Sequence, residues 1–355
     1  MRVALCTFGF PELTISLARA LKPFCDPSVV LPDRARPAAV GFDEIATFPY
    51  VLSNSVPSKA RACCQAVRIV SSLKPDVLHL QGWSPLLTPH LPLLRRSAVV
   101  FSFHDPVPHS DDQSWSMTVT QKLLVKVSDR VVFLSDAMKA IAAKMYPADA
   151  AKMRVVPHGI FNYYVPGPEQ RPSVLDPGDK FVLFFGRVAR YKGVEDLCEA
   201  FVPIASSGYK LVVAGQQIYP VAIPRELGSA IVVLNEYISN DVLRYLFRHC
   251  SLVALPYRDA TQSGVLMLAY AFGKPVLSTN VGGLAEMVED GVTGMLVPAR
   301  NPQALADALT RALTAPKCLE IMGRQALKFA NRNFSWEQIA RQTFGIYQEA
   351  IAMPR

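Results

Sequence analysis

Arg187 and Lys192 stand five residues apart between two glycines, Gly186 and Gly193, in the stretch FVLFFGRVARYKG. A guanidinium grips an oxyanion with two parallel hydrogen bonds and an ammonium acts as a point charge, so the pair suits a diphosphate. Gly186, without a Cβ, lets the backbone turn tightly or come close to a ligand. The alternative is a pair of solvated loop cations, which are common on any surface. Position favours the anion reading. Phe181–Phe185 is a continuous apolar run, as expected of a strand buried on both faces of a parallel sheet, and ligands of open parallel sheets bind outside the carboxyl ends of the strands.

A second group of residues fits the same chemistry. After the apolar strand LVALPY (252–257) comes Thr261-Gln262-Ser263-Gly264-Val265. Ser263 is a candidate N-cap and Gly264 permits close approach, so the free amide groups and positive dipole end of the helix that follows would meet phosphates or a sugar. Gly273 closes that helix and Pro275 prevents its continuation. A well-capped buried helix with no ligand would carry the same signals. Further on, Gly282 and Gly283 precede Glu286 and again allow close approach. His104 and His109 are five apart, but no cysteine or carboxylate cluster completes a metal site around them. Neither a metal nor an organic cofactor is expected.

These residues need strands and helices to hold them, and the chain supplies an alternation of both. RVALCTF, PSVVLP, PDVLHLQG, AVVFSFHD and DRVVFLS read as strands in the first half, with helices at 12–23, 58–73, 121–127 and 136–145. Residues 163–179, rich in proline and polar residues, read as a linker. Beyond it the pattern restarts with FVLFF, KLVVAG, IVVLN, LVALP and PVLST, and 336–351 has helical spacing at Ile339, Phe344, Tyr347 and Ile351. Strands alternating with helices imply parallel sheets with right-handed crossovers.

The 355 residues leave room for about two domains at roughly 150 residues each. Half of them are hydrophobic, which excludes a disordered chain. Seven cysteines without CxxC spacing suggest reduced thiols in a cytoplasmic protein. The opening MRVALCTFGFP lacks the features of a signal peptide, and no run is long and apolar enough to span a membrane. The net charge of +8 suits anionic partners, yet the cations are dispersed and no nucleic-acid-binding module is present, so nucleic acid is discounted. Lys122, Lys126 and Arg130 fall at i, i+4 and i+8, a basic helical stripe that would suit anionic lipid, close to Trp115. A solvated face is the slightly preferred alternative.

The order GR…KG, LVALPY, TQSGVLMLAYAFGKPVLST and VGGLAEMVEDGVTGMLVP resembles the retaining glycosyltransferases of family 4. The likeness is strong from Phe181 to Pro298 and loose before residue 100. It implies an α/β fold with two Rossmann-like domains facing across a cleft, the GT-B arrangement, and a C-terminal helix crossing back to the first domain. Residues 1–162, completed by helix 336–355, would bind the acceptor, 163–179 would link, and 180–335 would bind the donor. The family's donor is a nucleotide-diphospho-sugar: a UDP-sugar is favoured here, a GDP-sugar is the alternative, and the acceptor is a glycan or lipid-linked glycan. Arg187 and Lys192 map to the residues that grip the diphosphate; Gly186, Thr261, Ser263, Gly264, Val265, Gly283 and Glu286 line the donor site. His104 would hydrogen-bond a hydroxyl of the donor sugar and Asp105 would orient it or the acceptor. The resemblance further implies a peripheral contact with the inner face of the membrane, retention of configuration and closure of the domains over the donor.

The chain departs from the family at one point. The two glutamates, eight positions apart, that hold donor sugar and ribose in the family fall here on Ala260 and Leu268. Asp259, beside the first slot, is a substitute able to accept hydrogen bonds from sugar hydroxyls; nothing obvious replaces the second. This departure keeps open a rival reading, a catalytically impaired sugar-nucleotide-binding or scaffolding protein of the same fold. A nucleotide-sugar epimerase or a phosphorylase is a further rival, though no pyridoxal-phosphate lysine is identifiable. His158, His79, His90 and His249 carry no functional signal in the sequence.

Overall fold

The computed structural model describes residues 1–33, 42–48, 56–82, 87–94, 96–104, 115–260 and 262–353. The chain divides into two compact units, Met1–Gly159 with Ser335–Arg355, and Ile160–Phe334.

The first unit carries β1 (Arg2–Thr7), α1 (Pro11–Leu21), β2 (Asp26–Pro32), β3 (Ile45–Phe48), α2 (Val56–Leu73), β4 (Val77–Gln81), β5 (Ala98–Ser102), α3 (Trp115–Val127), β6 (Arg130–Phe133), α4 (Asp136–Met145) and β7 (Met153–Val155). The second carries β8 (Lys180–Phe185), α5 (Val194–Phe201), β9 (Tyr209–Ala214), β10 (Ile231–Leu234), α6 (Asn240–His249), β11 (Leu252–Leu255), α7 (Gly264–Ala271), β12 (Val276–Thr279), α8 (Leu284–Met287), β13 (Gly294–Val297), α9 (Pro302–Leu313) and α10 (Pro316–Asn333), after which α11 (Trp336–Ile351) returns to the first unit.

The sheets run β3-β2-β1-β4-β5-β6-β7 and β10-β9-β8-β11-β12-β13, and every named strand pair is parallel. Both are doubly wound: the chain steps outward over three strands, then returns to continue on the other side of the first. The switch points lie between β1 and β4 and between β8 and β11, and there the crevices at the carboxyl ends accept ligands. The two sheets with their flanking helices are the α/β architecture that the alternation of apolar runs predicts.

α11 completes the first unit because its apolar face has nowhere else to go. Ser335 caps it by accepting from the Gln338 amide at 3.3 Å, and Ile339, Ala340, Ile346, Tyr347 and Ala350 are buried in one cluster with Ile15, Leu17, Val77 and Val100. Gly159 sits where a Cβ would meet the Trp336 ring.

Two expectations need correction. Residues 163–179 form no free linker. Arg244 donates to the carbonyls of Tyr164 at 3.0 Å and Pro168 at 3.1 Å, Arg248 donates to Val165 O at 2.8 Å and Glu169 at 2.9 Å, and Leu175 is fully buried. The prolines turn the chain, and α6 holds the turned segment on the second unit. The basic stripe is also not one helix face. α3 ends at Val127, Ser128 Oγ donates back to Leu124 O at 2.7 Å, and Asp129 is tied to Val99 of β5 through both its amide and its carboxylate, each at 2.8 Å. Arg130 therefore opens β6, where its Nε donates to Glu349 at 2.9 Å. The sequence reading also passed over β3, β13 and the helices α8, α9 and α10.

Candidate functional site

At the switch point of the second unit the strand β8 ends on Gly186, whose φ of +105° only glycine adopts readily. A Cβ there would lie 3.1 Å from Lys192 Nζ and 3.6 Å from Val265 Cγ2. Three predicted residues from two loops therefore converge on one point. Lys192 ends a 3-10 turn, Arg190–Lys192, and is only 9% exposed. Its ammonium stands 5.1 Å from the Tyr257 ring centroid. Among the described residues it has no hydrogen-bond acceptor and no carboxylate partner. Burial lowers its pKa, against an opposing effect of Tyr191, and the neighbouring Arg187 charge adds a smaller lowering. A buried ammonium without a counter-ion costs several kcal/mol. Arg187 is exposed and hydrogen-bonded to the Tyr191 phenol.

α7 meets this point with its N-terminus. Ser263, 4% exposed, caps the helix by accepting from the Leu266 amide at 3.4 Å, and Gly273 ends it in the left-handed region at φ +64°. The amides of the first turn have no partners within the helix. Gly264 has a packing reason as well, since a Cβ would come 2.9 Å from the Phe161 ring. Thr261 lies outside the described residues.

The loops after β11 and β12 pack together. Gly282, at φ +47°, leaves no room for a Cβ against the Ala260 carbonyl, and Thr279 Oγ1 donates to Tyr257 O at 2.5 Å. Asp259 is exposed and makes no ion pair among the described residues. Gly283 is buried at the start of α8, and Glu286 lies exposed on that helix. Ala260 and Leu268 are 2% and 4% exposed and belong to the apolar core.

The site candidates of the first unit have a different character. His104 follows β5, is 7% exposed, and is stacked between Phe10 at 4.2 Å and His158 at 5.2 Å between ring centroids. Among the described residues neither ring nitrogen has a hydrogen-bond partner. Burial, and then His158 and His79, hold its pKa well below the ordinary histidine value, so the ring is neutral. It lines a cavity of about 30 Å³ with His79, Gln81, Ser102, Trp336 and Thr343, room for one or two waters. His79 shares hydrogen bonds with Tyr347 Oη at 2.7 Å and Ser102 Oγ at 2.8 Å, and burial pushes its pKa down to about 3. Asp105 and His109 lie outside the described residues.

Sequence reasoning missed Phe10, which orients His104, and His79. It also missed the ion pair of Arg258 with Asp196, whose Nε–Oδ2 distance is 2.9 Å. None of these has a local pattern to find it by. Among the described residues no group of three His, Cys, Asp or Glu could hold a metal ion, and no helix is long and apolar enough to cross a membrane.

Residues 11–161 match the family described as glycosyltransferase family 4, and residues 179–315 match glycosyl transferases group 1. An uncharacterized glycosyltransferase of Methanocaldococcus jannaschii is 28% identical over 300 residues, covering 79% of this chain and 77% of that protein. A D-inositol 3-phosphate glycosyltransferase of Segniliparus rotundus is 30% identical over 244 residues, 64% of this chain but only 54% of that protein's length. Among solved structures, sucrose-phosphate synthase of Thermosynechococcus elongatus superposes with a TM-score of 0.75 at 18% identity over 99% of both chains. HepE of Anabaena in complex with UDP-glucose superposes with a TM-score of 0.71 at 16% identity over 96% of this chain and 98% of that one. The chain thus carries a glycosyltransferase family 4 domain followed by a glycosyl transferases group 1 domain, in a fold that matches GT-B glycosyltransferase structures.

Proposed function

We propose that the protein is a cytoplasmic, metal-independent, retaining glycosyltransferase that takes a hexosyl group from a UDP-sugar and passes it to a glycan or lipid-linked acceptor. The observation that carries the reading is the buried Lys192 ammonium beside Gly186 and the start of α7, without a carboxylate partner among the described residues. A nucleoside diphosphate supplies the missing charge. As the glycosidic bond breaks, negative charge grows on the leaving diphosphate, and Lys192, Arg187 and the first amides of α7 stabilise it more than they stabilise the bound donor. In a retaining reaction of this kind the leaving phosphate takes the acceptor's proton. Asp259 accepts hydrogen bonds from sugar hydroxyls in place of the absent glutamate. His104, neutral, offers a hydroxyl one donor and one acceptor. The HepE complex with UDP-glucose supports UDP over GDP.

Calorimetric titration with UDP tests the reading: binding weakened about tenfold or more, yet still measurable, in Lys192→Ala supports it, and equal binding by wild type and variant removes it. The rival, a binding protein without turnover, draws on the burial of Ala260 and Leu268 where carboxylates would otherwise stand. Slow release of glucose from UDP-glucose by wild type and not by Lys192→Ala decides against that rival. A peripheral membrane contact is supported only by the α3 face, where Val119 and Leu123 are 44% and 41% exposed beside Lys122 and Lys126. Co-sedimentation with anionic vesicles, lost in Lys122→Glu/Lys126→Glu, is the expected result; equal sedimentation of both proteins removes the contact.

A further inference from the structure

The cations and amides of the diphosphate site belong to two loops, one after β8 and one after β11. A 3-10 turn of three residues, Arg190–Lys192, has little stability of its own. Something must hold it where Lys192 meets Gly186, and one side chain reaches across to do so. Arg258 donates through Nε to Asp196 Oδ2 at 2.9 Å and through an amino group to Oδ1 at 2.5 Å, a bidentate pair. Its other amino group reaches Arg190 O at 3.4 Å, its backbone amide donates to Tyr191 O at 2.7 Å, and Glu195 Oε2 lies 3.6 Å away. All these partners lie in residues 190–196, the segment that contains Lys192. Between them Gly193 takes a φ of +65° with the Pro256 carbonyl where its Cβ would be, so the two loops are in direct contact. The Arg258 and Asp196 side chains are 25% and 12% exposed, more sheltered than an ordinary surface pair.

We propose that Arg258 and Asp196 are a positioning pair for the diphosphate site. The pair clamps the turn bearing Lys192 to the carboxyl end of β11 and so aims the ammonium at the start of α7. It has a second effect. Arg258 is the immediate neighbour of Asp259, and its engagement by Asp196 leaves the Asp259 carboxylate unneutralised and open to hydroxyl donors. The inference rests on the reading of Lys192 as a diphosphate ligand, and its test separates the two.

UDP is titrated calorimetrically into wild type, Arg258→Ala, Lys192→Ala and the double variant, with thermal midpoints measured alongside. A clamp that acts through Lys192 predicts non-additivity: about tenfold weaker UDP binding from Arg258→Ala alone, and less than about twofold from the same change in the Lys192→Ala background. Asp196→Asn, nearly isosteric, reproduces the loss where Arg258→Ala fails to fold. Arg258→Lys, with the charge but not the bidentate fork, recovers only part of the affinity. Unchanged UDP binding in both Arg258→Ala and Asp196→Asn overturns the clamp, as does an equal loss in both backgrounds, which marks a general structural role. If Lys192→Ala binds UDP as wild type does, the diphosphate reading falls and the clamp with it.

Discussion

The carboxyl ends of the two sheets are built from opposite materials. In the second unit the loops bring together an almost buried ammonium, an exposed guanidinium and a helix N-terminus, all of positive character, around a glycine that leaves space. In the first unit the corresponding pocket holds a stacked neutral imidazole whose two nitrogens have no partner among the described residues, backed by His79, Gln81, Ser102 and Tyr347 in one hydrogen-bonded set. Topology does not explain the difference, because both sheets have the same 3-2-1-4 order around their switch points. The same doubly wound frame offers a crevice in each case, and side-chain charge distinguishes the two: cationic in one and neutral in the other, as the proposed diphosphate and sugar hydroxyls would require.

The sharpest way to break this contrast is to remove the charges. Lys192→Ala and Arg187→Ala are each expected to lower kcat/KM by about a hundredfold or more with UDP-glucose as donor, the scale of one lost charge-stabilising group. The loss should be mostly in kcat if the groups act on the leaving diphosphate. Near wild-type turnover by both variants would end the assignment.

Smaller losses should follow where uncharged partners are gripped. Asp259→Asn should weaken UDP-glucose by about tenfold, a cost of roughly 1.5–3 kcal/mol for one charged hydrogen bond, while UDP itself binds as before. Equal weakening of both ligands would move Asp259 to the phosphates. His104→Ala is expected to leave UDP affinity unchanged while kcat/KM falls about tenfold; a parallel loss of UDP binding would show that the neutral pocket also serves the anion.

The two regions should also differ in their response to acid. The folded-state pKa values of His79 and His158 are pushed down to about 3 and about 4 by burial. Each therefore stays neutral in the fold while the unfolded chain takes up a proton below its ordinary value of about 6.5. Their contribution is fully present above pH 6.5 and is lost as the pH falls toward 4 and 3, at a rate of up to about 1.4 kcal/mol per pH unit for each group. Urea midpoints at pH 7 and pH 5 should show the fall, and His79→Gln should reduce it. An identical pH slope in that variant would mean His79 is not held neutral in the fold.

The smallest effect has the opposite sign. Because the Lys192 ammonium is buried without a carboxylate partner among the described residues, Lys192→Met should raise the thermal midpoint by a few degrees while weakening UDP binding. A lowered midpoint would show the ammonium to be satisfied in the free protein.

Much of the frame was legible because it is local. The apolar run of β8 is a strand in any context that buries both its faces. The caps of α7, Ser263 and Gly273, act within a few residues of themselves, and the structure has both where the residue types indicate. Arg187, Lys192 and Gly186 could be singled out as candidates from their spacing, since they share one loop. The failures also have local causes. Periodicity ran Lys122, Lys126 and Arg130 into one stripe because it cannot see that Asp129 is captured by Val99 of β5. Proline content at 163–179 signals turning, but not that Arg244 and Arg248 bind the turned backbone.

By itself the sequence determined the alternation of strands and helices, though not every element, the parallel topology it requires, and which loops carry cations, glycines and caps, because each follows from chain geometry and side-chain type within a short window. Only the tertiary structure decided that Lys192 is buried with no carboxylate partner among the described residues, that His104 is neutral between two rings, that Tyr347 bonds His79 across 268 residues, and that Arg258 engages Asp196 across 62. The physical reason is that charge, pKa and orientation depend on what surrounds a group once water has been excluded, and those surroundings come from elements distant in the chain.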